Sequence, residues 1–174
     1  VYGVYADNLW VIAGLESPSG NIRKLDRYDR NLGNLIETKF LQWRPTYFGM
    51  VTGERLLVGG NTSQKGQLYY TEEDNLNQVI DSINIGKLLL GVVSDSGRTW
   101  VWMEDRVSTF DDSYRVGAPS IPGEYSALGW DPRRQQLWLG KDDAIEVFRA
   151  DGTLLQTITG FSGTVTAIDF HYNK

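Results

Sequence analysis

Cysteine is absent from the 174-residue chain, and histidine occurs once, at His171. Without thiols there is no disulfide, no thiolate zinc site and no cysteine nucleophile. A Ser-His-Asp arrangement would have to be assembled around His171, and a zinc site lacks the three or four His, Cys or carboxylate ligands it needs. Long apolar runs are also missing. Nothing approaches the roughly 18 residues of a membrane span, and no charged-then-apolar segment opens the chain, so membrane insertion is not expected. These absences leave the compartment open. Cationic residues are few and scattered, 17 against 22 Asp and Glu for a net charge of −5. The densest pair, Arg133–Arg134, reads as a turn, and a nucleic-acid partner is not expected without clustered Lys and Arg.

What is present points to a folded all-β protein. Apolar residues reach 41% and charged residues 22%, the composition of an ordinary soluble domain rather than a disordered one. Nineteen glycines accompany six Trp and nine Tyr. Strand faces use the aromatics and tight turns use the glycines.

A long repeat organises these residues. Four short apolar strands recur: Leu9-Trp10-Val11-Ile12, Arg55-Leu56-Leu57-Val58, Thr99-Trp100-Val101-Trp102 and Leu137-Trp138-Leu139-Gly140. Each follows another strand across a polar turn: Asp7-Asn8, Thr52-Gly53-Glu54, Ser94-Asp95-Ser96-Gly97 or Asp131-Pro132-Arg133-Arg134. A third strand, such as Ala144-Ile145-Glu146-Val147-Phe148, runs into Asp29-Arg30-Asn31, Glu73-Asp74-Asn75, Asp111-Asp112-Ser113 or Ala150-Asp151-Gly152, and a fourth strand follows. Asp, Asn, Gly and Pro stand where hairpins need them. Counted from Trp10 through Leu57 and Trp100 to Trp138, the spacings are 47, 43 and 38 residues. A sandwich also spaces its strands regularly, but it does not repeat one strand order with one turn chemistry. The pattern is that of a β-propeller made of four-stranded antiparallel blades. The expected blades span about 1–45, 46–86, 87–123 and 124–161, with an extra first strand in 162–174.

The first two blades share a loop signature, Gly14-x-x-Ser17-x-x-Gly20-Asn21-Ile22 and Gly60-x-x-Ser63-x-x-Gly66-Gln67-Leu68, at a constant offset of 46. The last two replace it with the tight turns Met103-Glu104-Asp105 and Lys141-Asp142-Asp143. Blade four is the fullest statement of the motif: Ala127-Leu128-Gly129-Trp130-Asp131-Pro132, Gln136-Leu137-Trp138-Leu139-Gly140, Ile145-Glu146-Val147-Phe148 and Asp151-Gly152-Thr153-Leu154. On these residues the chain resembles the WD40-like and NHL-like propeller superfamily in the broad sense, without the Gly-His and Trp-Asp dipeptides of true WD40 repeats.

Val165-Thr166-Ala167-Ile168-Asp169-Phe170 again reads as a first strand, and so does Val1–Ala6. Two first strands do not complete one blade. Either further blades lie outside this stretch, or the C-terminal strand displaces Val1–Ala6; a section of a larger propeller is the favoured expectation.

The candidate chemistry is sparse. Glu72–Glu73, Asp111–Asp112 and Asp142–Asp143 are adjacent acids at turns, whereas glycosidase work needs two carboxyls facing each other across a cleft. Asp142, Asp143 and loop carbonyls offer calcium-type oxygen ligands, but the spaced acids of an EF-hand loop are missing. No catalytic residue, metal or cofactor is therefore expected. Trp10, Trp100 and Trp138 fall at one central-strand position and read as blade-to-blade packing, with Trp102 and Trp130 in or near the core. Trp43 lies in an inter-blade connection, where recognition and wedging between blades are equally open to it.

Loops between second and third strands share an edge with the inter-blade connections. That edge collects the candidate binding residues: Trp43, Arg44, Asn61, Lys65, Glu104, Asp105, Arg106, Lys141, Asp142, Asp143 and Phe161. The leading expectation is a non-catalytic interaction or structural module with a protein partner or assembly subunits, for example in a bacterial or phage particle. A carbohydrate-binding propeller lectin and part of a propeller hydrolase or lactonase are the alternatives.

Overall fold

A computed structural model describes residues 3–6, 10–20, 22–29, 31–51, 55–62, 65–72, 75–95, 98–110 and 116–171. The turns at Asp7-Asn8, Thr52-Gly53-Glu54, Glu73-Asp74, Ser96-Gly97 and Asp111-Asp112-Ser113 lie outside the described residues, as do Asn21, Arg30 and Ser63. Sixteen strands occur among the described residues, in four antiparallel sheets of four. The first sheet is β1 (Gly3–Ala6), β2 (Trp10–Glu16), β3 (Arg23–Asp29) and β4 (Leu35–Leu41). The second is β5 (Arg44–Val51), β6 (Arg55–Asn61), β7 (Gly66–Glu72) and β8 (Asn75–Asn84). The third is β9 (Leu89–Asp95), β10 (Arg98–Met103), β11 (Arg106–Phe110) and β12 (Val116–Pro122). The fourth is β13 (Ala127–Asp131), β14 (Gln136–Lys141), β15 (Ala144–Arg149) and β16 (Leu154–Thr159). Within every sheet spatial order follows chain order. Each sheet is thus a meander, the blade expected from the repeat.

Local turn chemistry sets the registers. Asp131 accepts hydrogen bonds from the amides of Arg133 (3.0 Å) and Arg134 (3.0 Å), closing the loop that pairs it with Gln136. The same Asx device recurs at Asp29, which accepts from Asn31 (2.7 Å) and Leu32 (2.9 Å). Gln135 and Asp142 take positive φ values, 54° and 53°, in their hairpin loops. The chain turns at both places through the left-handed region.

The chain divides into two compact units, residues 1–92 and 93–174. In unit one the core lies between the first two blades. Ile12 and Leu25 of the first meet Leu56, Val58, Tyr69 and Leu76 of the second, with Trp43 among them. The backbones approach so closely that a Cβ on Gly14 would meet the carbonyl of Pro45 at 2.6 Å and the Phe48 ring at 3.2 Å. In unit two Trp100 and Val107 pack with Leu137, Leu139, Trp130 and Phe148, and the Trp100 and Trp130 rings lie 5.7 Å apart. Leu137 and Leu139 face this core, so Trp138, between them on β14, points to the other side of blade four.

Two expectations change. Trp100 and Trp138 are each third in their central strands, but Trp10 is the first residue of β2, so it does not share their position. The terminal Val165–Phe170 joins no ladder. It lies instead on blade four: Val165 against Gly140, Ile168 against Gly129, and Phe170 edge-on to Trp138 at 5.5 Å. Pro45 and Phe48 of β5 stand on Gly14 in the same manner, and Leu89 and Val92 of β9 stand on Gly59. The segment has the seat of a next blade's first strand without its pairing.

Candidate functional site: the loop edge of the third and fourth blades

In unit one the candidate residues are largely spent on structure. Trp43 is only 6% exposed and fills the core between the blades, the wedging alternative. Gly60 makes room for it: a Cβ there would lie 2.5 Å from the indole and 1.9 Å from the Arg44 carbonyl. Asn61 ties the end of β6 to the start of β9, donating to the Leu89 carbonyl at 2.7 Å and accepting its amide at 2.8 Å. Arg44 is exposed at the head of β5. Lys65 is also exposed, in a turn closed by Thr62.

Unit two holds the other seven candidates, and the two turns that carry six of them meet one connection, residues 122–126. The Gly123 amide donates to the carbonyl of Asp105 (2.9 Å), and the Ser126 amide to that of Gly140 (2.8 Å). This connection therefore bridges the β10–β11 and β14–β15 turns. Arg106 forks onto Asp105, Nε to Oδ1 at 3.1 Å and Nη2 to Oδ2 at 2.9 Å. Beyond them, the Asp142 carbonyl accepts the Val165 amide at 2.9 Å, and Ser126 Oγ donates to the Val165 carbonyl at 2.7 Å. Glu104, Lys141, Asp142, Asp143 and Phe161 are exposed.

Sequence reasoning missed the anchor beneath this edge. Tyr125 is buried and donates its hydroxyl to Glu146 Oε2 at 3.2 Å and to the Pro122 carbonyl at 3.3 Å. Burial first, and then the Glu146 charge, push the phenol above its ordinary range. Lys141 Nζ stands 4.0 Å from the other Glu146 oxygen. The only signal in the sequence was Tyr125 itself, an aromatic among Gly, Glu and Ser in a connection. Acids outnumber bases on these turns and the connection between them: Glu104, Asp105, Glu124, Asp142, Asp143 and Glu146 stand with Arg106 and Lys141. Among the described residues no three His, Cys, Asp or Glu side chains converge as metal ligands, and His171 is exposed.

No protein-family model matches the chain, and no curated relative does. Solved structures do. The structure of the Dos1 propeller matches 91% of this chain and 44% of its own at 15% identity, with a TM-score of 0.72. A chain of a mitotic checkpoint complex matches 93% and 55% at 16% identity, TM-score 0.68. A quinonprotein alcohol dehydrogenase-like protein from Bacteroides thetaiotaomicron matches 94% and 46% at 14% identity, TM-score 0.72. The chain spans about half the length of these structures. The four meandering sheets and these likenesses together establish that the chain has the β-propeller fold, in four-stranded antiparallel blades.

Proposed function

We propose that the chain is a section of a larger β-propeller and works as a non-catalytic interaction module, docking a lysine- and arginine-rich protein segment on the loop edge of its third and fourth blades. The observation that carries this reading is the set of acids around the 122–126 connection, with Glu104, Glu124, Asp142 and Asp143 exposed. Clustered charge of one sign on a rigid edge steers and orients an oppositely charged partner. The edge is stiffened by the Gly123–Asp105 and Ser126–Gly140 bonds, so little ordering is needed on binding. The larger ring is suggested by the seat of Val165–Phe170 and by the length of the neighbours. Burial of Trp43 leaves the lectin alternative with Phe161, 40% exposed, as its aromatic on these loops.

Fluorescence anisotropy with a labelled Lys/Arg-rich peptide tests the reading. Affinity should fall as salt rises from about 0.01 M to about 0.15 M, where the screening length shrinks from ~30 Å to ~8 Å. The triple variant Glu104→Gln/Glu124→Gln/Asp143→Asn should bind at least about tenfold more weakly, ~1.4 kcal/mol. Equal binding by the variant overturns the assignment of the edge. A glycan that binds through Phe161 in its place would favour the lectin.

A further inference from the structure

Among the described residues, two places set the outer strand of one blade against the start of the fourth strand or the third-to-fourth turn of the next. Between the first two blades the outer strand is β4, and Glu37 does the work. Its carboxylate accepts the amides of Leu76 (2.9 Å) and Asn77 (3.1 Å) and the Asn77 side chain (2.6 Å). Arg27 pairs with it at 3.2 Å. Between the third and fourth blades the outer strand is β12, where Pro119, left without a ladder partner by a bulge, falls in the place of Glu37 when the two blades are aligned on a bonded cross-strand pair. The correspondence rests on one bonded pair in each blade: Thr38 donates to the Asp26 carboxylate opposite it, and Ser108 bonds the Ser120 hydroxyl opposite it, the bulge coming one pair later in the first blade and directly after the pair in the third. Glu37 precedes Thr38, and Pro119 precedes Ser120. Pro119 also meets the following turn, since a Cβ on Gly152 would lie 2.7 Å from it.

A proline brings no carboxylate. What remains is an open cavity of about 610 Å³ whose lining includes Pro119, Arg134, Gln135, Arg149, Asp151 and Leu155. Leu155 is second in β16, as Leu76 is second in β8. Arg134 is anchored from beneath, its Nη1 3.0 Å from the fully buried Asp131 carboxylate, while its side chain stays 66% exposed. Arg149 is exposed at the end of β15. These turns lie on the edge of blade four opposite the acidic loops, because successive turns of a meander alternate edges.

We propose that this cavity binds a carboxylate carried by an acidic side chain of a partner peptide, which takes from outside the place that Glu37 fills from within between the first two blades. A planar two-oxygen acceptor suits guanidinium donors. Asp151 on the rim disfavours a doubly charged anion, which selects carboxylate over phosphate.

Titration of the 174-residue chain with an end-blocked Gly-Glu-Gly peptide, followed by backbone amide NMR, tests this. Shifts are expected at Gln135, Gln136 and residues 150–155. The Gly-Gln-Gly counterpart should bind at least about tenfold more weakly. Arg149→Ala should weaken the Glu peptide at least about fivefold, with Arg149→Lys between, while the melting temperature holds. Equal binding of the Gln peptide, or indifference to Arg149→Ala at an unchanged melting temperature, overturns the site. Inorganic phosphate binding as well as the Glu peptide overturns its selectivity. Glutarate binding more tightly than the peptide overturns the peptide as the source.

Discussion

Removing the Glu37 carboxylate, as in Glu37→Ala, perturbs a single group that joins two blades. In the wild-type chain it takes four donors: two backbone amides and one side-chain amide at the start of β8, and the Arg27 guanidinium. Hydrogen bonds to a charged group contribute about 1.5–3 kcal/mol each when measured singly, but those on one carboxylate do not add. Breaking a buried pair from one side costs about 3–5 kcal/mol, and an exposed pair contributes about 1 kcal/mol or less. The Arg27 and Glu37 side chains are 9% and 15% exposed, and Asn77 is at the surface. The pair therefore sits nearer the buried limit, with water able to reach the turn. A loss of about 2–4 kcal/mol follows, or roughly 5–12 °C in Tm for a chain of this length. Urea unfolding gives the free energy, and hydrogen exchange gives the place: the amides of Leu76 and Asn77 should lose protection before the β6–β7 ladder does. Glu37→Gln keeps the shape but offers an amide to donors, so it should fall between. A Glu37→Ala chain within about 0.5 kcal/mol of wild type, with Leu76 and Asn77 still protected, refutes the clamp.

Other substitutions probe the packing. Gly60→Ala should destabilise by about 2 kcal/mol or more in urea unfolding, because its Cβ meets the backbone carbonyl of Arg44 and the Trp43 ring, and the carbonyl has nowhere to move. Trp43→Ala should cost about 3–5 kcal/mol by emptying the core of unit one. Binding of the basic peptide to that variant at a temperature where it remains folded should be unchanged. Stability should fall above about pH 10, the ordinary tyrosine range. The folded-state pKa of Tyr125 is raised, so the unfolded chain ionises first and the stabilisation is lost as pH climbs toward the folded value. Tyr125→Phe should lessen that slope while losing the Glu146 bond, with Tyr47 and Tyr69, also raised by burial, supplying the remainder.

The blades were legible because hairpin signals are local. Asp131-Pro132-Arg133-Arg134 and Lys141-Asp142-Asp143 carry their turn chemistry within four residues, and the registers follow from them. Contacts between blades were not legible. Glu37 reaches partners 39 and 40 residues away, and Asn61 one 28 residues away, with no periodicity to announce either. Trp43 was ambiguous because a connecting segment shows no face, and burial alone decided its role. Trp10 fell out of line because β2 runs four residues beyond its start before reaching the glycine that abuts the next blade, while Trp138 stands two before Gly140. The acidic edge was half visible: its turns were among the candidates, but the Tyr125–Glu146 support and the bridging 122–126 backbone belong to tertiary structure.

The central claim is that the loop edge of the third and fourth blades is a docking surface for a basic protein segment. Backbone amide NMR during titration with a Lys/Arg-rich peptide tests it most directly. Salt-sensitive shifts are expected, confined to residues 104–106, 122–126 and 141–143. Shifts that spread over other surfaces, or none at low salt, would contradict it.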